Sequence, residues 1–99
     1  MPSRELRIHP AAILEVEEAR IWYASIDPEL GRRFSAKSDM AGLAALDAPD
    51  RWAPDETGRR RIRLRTFPHV IIYEWEEPVV RILAVAHPSR RPVYWRGRN

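Results

Sequence analysis

The sequence has no cysteine. That excludes a disulfide-stapled scaffold, a thiolate metal site and a cysteine nucleophile. Glycine occurs only four times, at scattered positions, so no phosphate-cradling glycine loop can form. The three histidines, His9, His69 and His87, show no metal-ligand spacing and no i,i+4 pair; neither a metal nor a cofactor is expected. No serine-centred elbow is present. No apolar run approaches the ~20 residues of a membrane span, and Met1–Glu5 lacks the apolar core of a secretion signal, so a cytoplasmic protein without a membrane partner is expected. Lysine occurs once, as Lys37, and the other sixteen cations are arginine.

What remains is a folded, basic chain. Its 99 residues suit one domain spanning 1–99. Apolar residues make up 44% and charged residues 31%, which fits a domain with a core rather than a disordered segment. Residues 1–50 hold six basic and nine acidic side chains; residues 51–99 hold eleven and five. The net +3 is therefore an acidic half joined to a basic half, which suggests one face for an anionic partner.

The hydrophobic pattern predicts an α+β fold. Arg4–Ile8 reads as a short N-terminal strand. Pro10 then opens a helix whose apolar stripe is Ala12, Val16, Ala19, Tyr23 and Ile26. Leu14 and Ile21 fall outside that stripe and beside each other, either as incidental surface residues or as part of a partner-binding patch. Asp27-Pro28 caps a second helix with Leu30, Phe34, Ala41, Ala44 and Ala45 facing inward, a face that Lys37 and Ser38 interrupt. A loop over 48–58 follows. Arg60, Ile62, Leu64 and Thr66 alternate with Arg59, Arg61, Arg63 and Arg65, the pattern of a half-buried strand with an arginine-studded outer face. Val70–Glu76 and Val79–Ala86 are two more strands, the last the most apolar and so central. Short connections imply hairpins, hence two N-terminal helices packed on a small twisted antiparallel sheet.

Chemistry, if any, lies in the basic, aromatic C-terminal third. Strict alternation puts Arg81, Leu83, Val85 and His87 on one face of the last strand, so Arg81 and His87 should lie together. Histidine or tyrosine could move protons on a phosphodiester while arginines hold its charge. The plainer alternatives stand beside this. Tyr94 and Trp95 can simply pack on the sheet, His87 can bond backbone at a strand end, and the arginine row can be a solvated face or meet an acidic protein.

The ordered set His9-Pro10-x-Ala12-x-x-Glu15, Ala19-x-x-Trp22-Tyr23 and Leu30-Gly31-x-x-Phe34 resembles the N-terminal half of the RelE/ParE toxins. Arg60, Phe67–Tyr73, Ile82–His87 and Arg91-Pro92-x-Tyr94-Trp95 resemble the C-terminal half. The resemblance covers nearly the whole chain and implies a toxin of a bacterial type II toxin–antitoxin pair, in the group linked to plasmid stabilisation. It also implies a cognate antitoxin, for which Leu14 and Ile21 are the candidate contacts. The family divides on mechanism. ParE-like members poison DNA gyrase; RelE-like members cleave mRNA in the ribosomal A site. The Trp22-Tyr23 and Tyr94-Trp95 pairs resemble the ParE-like group, which makes gyrase inhibition the leading expectation. The endonuclease alternative, free of metal, would use Arg65, Arg81, His87 and Tyr94. Arg61, Arg63, Arg90, Arg91 and Arg96 are the candidates for binding nucleic acid or another target. A third alternative is a non-toxic module that acts only in the antitoxin complex.

Overall fold

A computed structural model describes residues 3–99. The order of elements is β1 (Glu5–Ile8), α1 (Pro10–Ile26), α2 (Pro28–Asp47), β2 (Arg60–Arg63), β3 (Val70–Glu76) and β4 (Val79–Ala86). The α+β architecture follows the sequence pattern, and its helix starts have clear chemical causes. His9 Nδ1 accepts the Ala11 N–H at 3.0 Å, and Pro10 occupies the first turn, where a missing donor costs nothing. Asp27 serves both helices. Its own N–H donates to the Tyr23 carbonyl, closing α1, and its carboxylate accepts from Glu29 N at 3.0 Å, opening α2. One residue between two helices forces an antiparallel hairpin. At the crossing, a Cβ on Gly31 would stand 2.8 Å from the Ala24 Cβ and 3.0 Å from the Arg20 carbonyl oxygen, so only glycine lets the helices approach this closely.

The four strands lie in the order β1-β4-β3-β2, with β3 and β4 central. The β2–β3 and β3–β4 pairs are antiparallel, as the short turns predict. The β1–β4 pair is parallel, with Glu5 opposite Val79 and Ile8 opposite Ile82, so the sheet is mixed rather than purely antiparallel. The hairpin argument governs only consecutive strands. Strand β1 joins the edge of β4 while the whole helical hairpin lies between them in sequence.

The helices cover one face of the sheet. Ala12, Phe34, Ala41 and Ala45 pack there on Ile62, Ile71, Tyr73, Val80, Ile82 and Val85. Ile26, expected in this stripe, is 60% exposed, because α1 has run past the sheet by its last turn. Ser38 is buried where Phe34 and Ala41 place it, while Lys37 points to solvent; the inner face of α2 is therefore continuous, with one small polar residue in it. The other face of the sheet is also covered. Residues after β4 fold back so that Trp95, only 2% exposed, packs on Ile72 and Ala84.

Candidate functional site

The pairing of β3 with β4 decides where the C-terminal residues point. Ile72 lies opposite Ala84 and Tyr73 opposite Ile82, which leaves Leu83 without a partner on β3. This β-bulge inserts one residue, and because side chains alternate with period two, it reverses the facing of everything beyond it. Val80 and Ile82 face the helices, yet so does Val85. Arg81 and His87, expected on one face, therefore lie on opposite faces. Six residue-to-residue steps also separate them, about 20 Å at ~3.3 Å per step.

Arg81 pairs with Glu74, its cross-strand neighbour, at 3.1 Å near the β3–β4 turn. His87 stands at the other end, exposed, with its ring 5.1 Å from that of His69. Its Nδ1 accepts the Ser89 backbone N–H at 3.0 Å, so the neutral ring carries its proton on Nε2. That is the strand-end bond to backbone anticipated as the plainer alternative.

Tyr94 is held in a polar cluster centred on Glu15. Beyond Ile8 no strand covers the outer edge of β4, and side chains take over its hydrogen bonds. Glu15 of α1 accepts the Val85 N–H at 3.0 Å, and Arg98 donates to the Leu83 carbonyl at 3.0 Å. Glu15 also accepts from the Tyr94 hydroxyl at 2.6 Å and from both Arg98 Nη atoms at 2.9 and 3.2 Å. One carboxylate thus ties the C-terminal segment to α1 and to the sheet edge. Burial first, then the hydrogen bond to Glu15, pushes the Tyr94 phenol well above its ordinary value. The hydroxyl is a committed donor, unsuited to exchanging protons with a substrate near neutral pH.

Arg65 sits at the centre of a γ-turn, with φ of 65° and the Thr66 N–H bonded to the Leu64 carbonyl at 2.8 Å. That conformation ends β2 and leaves Arg65 exposed. Arg59 and Arg61 lie 5.6 and 5.5 Å over the Trp95 ring, so half of the predicted arginine row covers the outer face instead of standing free. Arg63, Arg90, Arg91 and Arg96 are exposed. Arg90 stacks at 4.2 Å on the Tyr94 ring. Among the candidate catalytic residues, then, Arg81 stands apart on the far face, Tyr94 is engaged by Glu15, and His87 and Arg65 remain open.

Glu15, His69 and Arg98 were not singled out as site residues in the sequence. Glu15 had a signal, a carboxylate beside the apolar stripe of α1. His69 and Arg98 had none, since their roles depend on contacts across the fold. Glu15, Trp22, Tyr23, His69, His87 and Arg90 line a depression of about 400 Å³. His69 is buried there against Phe34 and Tyr23, and its Nδ1 has no partner among the described residues. Burial, helped by the neighbouring His87 and opposed by Glu15, pushes its pKa down to about 4. An unfolded histidine titrates near 6.5. Below that pH the unfolded chain takes up a proton that the folded chain refuses, so His69 makes stability fall as pH drops from about 6.5 towards 4. Urea midpoints at about pH 7.5 and 5 should show this fall, and His69→Phe should reduce it. An equal fall in the variant would remove His69 as its source.

Leu14 and Ile21 are 61% and 56% exposed, on one side of α1. A separate apolar groove of about 460 Å³ runs between β1 and the helices, lined by Leu6, Ile8, Ile13, Val16, Leu43 and Ile82. Sequence patterning did not single out Ile8, Ile13 or Leu43, because their exposure is set by where β1 docks. No helix is long and apolar enough to cross a membrane, and no metal-ligating cluster occurs among the described residues.

A helical hairpin packed on a four-stranded sheet is close to the fold that the resemblance to the RelE/ParE toxins implies. Comparison with known proteins agrees: a family model for the ParE toxin of the type II toxin–antitoxin system parDE matches residues 6–92. The chain is also 30% identical to Toxin ParE2 in each of two strains of Mycobacterium tuberculosis, over 91% of this chain and 87% of the relative. The chain belongs to the ParE toxin family.

Proposed function

We propose that this ParE-type toxin arrests growth in the cytoplasm by binding DNA gyrase, and that a cognate antitoxin neutralises it by covering Leu14, Ile21 and the apolar groove beside β1. The observation that carries the gyrase reading is the separation of the residues an endonuclease would need. Arg81 is paired on the far face, and the Tyr94 proton is held by Glu15. A single phosphodiester cannot meet both, and general acid–base catalysis depends on such convergence. Binding a large target needs no convergent centre, only an accessible surface. The antitoxin reading rests on the exposed aliphatic residues of α1 and the groove, which a segment folding on contact can cover.

The test is mRNA cleavage in a reconstituted translation system, mapped by primer extension. Intact mRNA at toxin concentrations that arrest growth is the expected result. Cuts in the ribosomal A site that disappear with His87→Ala would favour the endonuclease instead.

A further inference from the structure

Two grooves meet at the C-terminal end of β4. One, about 630 Å³, lies beside Arg63 and Arg65. The other, about 210 Å³, lies beside Arg61, Arg90 and Arg91 on the outer face of the sheet. Val70 and Pro88 line both, so the two grooves adjoin and are together termed the channel. Five guanidinium groups border it, and no Asp or Glu lines it among the described residues.

The nearby carboxylates are engaged elsewhere. Glu74 serves Arg81 and Arg59, and Glu15 serves Arg98. Arg61 and Arg90 reach only long ion pairs, at 3.8 and 3.9 Å, while Arg63, Arg65 and Arg91 form none among the described residues. The γ-turn at Arg65 holds its side chain out beside the channel.

We propose that this channel binds the phosphodiester backbone of nucleic acid directly. Guanidinium forks match phosphate oxygens in pairs, and a row of them follows a backbone without requiring base contacts. An acidic protein segment is less well served. Its carboxylates are spaced irregularly along a flexible chain, whereas the phosphates of a backbone recur at a short fixed interval that a row of guanidinium groups can follow. The inference goes beyond gyrase binding, because it concerns the toxin and nucleic acid alone.

The test is fluorescence anisotropy of a labelled duplex of about 20 base pairs, titrated with purified toxin between about 50 and 200 mM salt. The logarithm of the affinity should fall linearly with the logarithm of salt, with slope about −4.5, since each of the five neutralised phosphates contributes about 0.9. Arg63→Gln with Arg91→Gln should bring the slope to about −2.7, and Arg65→Gln alone should remove about 0.9. These side chains are exposed, so circular dichroism should be unchanged. Arg32→Gln with Arg33→Gln, on α2, should leave the slope as it was. An unaltered slope in the groove variants, or no binding at the lowest salt, would overturn the proposal. So would a glutamate-rich peptide of equal charge that binds as tightly as the duplex, which would assign the channel to acidic protein segments.

Discussion

Glu15→Ala should lower the unfolding free energy by about 3–5 kcal/mol, the range for breaking a buried charge pair from one side. The Glu15 and Arg98 side chains are 10% and 17% exposed, so little solvent screening softens the loss. Removal of the carboxylate leaves the Arg98 charge unpaired and strips acceptors from the Val85 N–H and the Tyr94 hydroxyl. For a domain of this size, each kcal/mol shifts the melting temperature by about 4–8 °C, so a drop of about 12 °C or more is expected. Tyr94→Phe removes a single bond to a charged acceptor and should cost about 1.5–3 kcal/mol. Urea unfolding checks the order. A Glu15→Ala protein within about 1 kcal/mol of the parent would mean that the clasp seals nothing.

Trp95→Ala should be comparably damaging, at about 3–5 kcal/mol, as for other buried aromatic truncations. Trp95 is the main cover of the outer face. It packs on Ile72 and Ala84, and Arg59 and Arg61 lie over its ring. Its loss uncovers the strands and frees two guanidinium groups at once. Trp22→Ala provides the contrast. That ring is 59% exposed, so its truncation should move stability by no more than about 0.5 kcal/mol. Equal effects at the two tryptophans would contradict a covered outer face. Both Glu15→Ala and Trp95→Ala should also loosen residues 87–99, which hydrogen exchange at the Val85 amide would register.

The elements were legible where local chemistry fixes them. Asp27-Pro28 marks the boundary of two helices because one carboxylate can cap only at that point. Val79–Ala86 reads as a central strand because both its faces are apolar. Trp95 lying on the sheet was one of two readings of its sequence. The site was less legible, and the reasons are geometric. Nothing in Ile-Leu-Ala announces the bulge at Leu83, which arises from pairing with β3, yet that one residue separates Arg81 from His87. The parallel pairing of β1 is a long-range choice that turn lengths cannot show. The arginine row divides because Trp95 returns over Arg59 and Arg61 and leaves Arg63 and Arg65 free. Glu15 looks like one more surface acid of α1 until the exposed edge of β4 supplies an N–H for it to accept.

The proposed function has this toxin act by binding gyrase rather than by cutting RNA. The most direct measurement is ATP-dependent supercoiling of relaxed plasmid by purified gyrase, titrated with the parent toxin and with Arg81→Ala combined with His87→Ala. Both proteins should block supercoiling at similar concentrations, within about threefold, because a toxin that acts by binding asks no chemistry of either side chain. Gyrase that supercoils normally in the presence of folded, growth-arresting toxin would contradict the proposed gyrase binding.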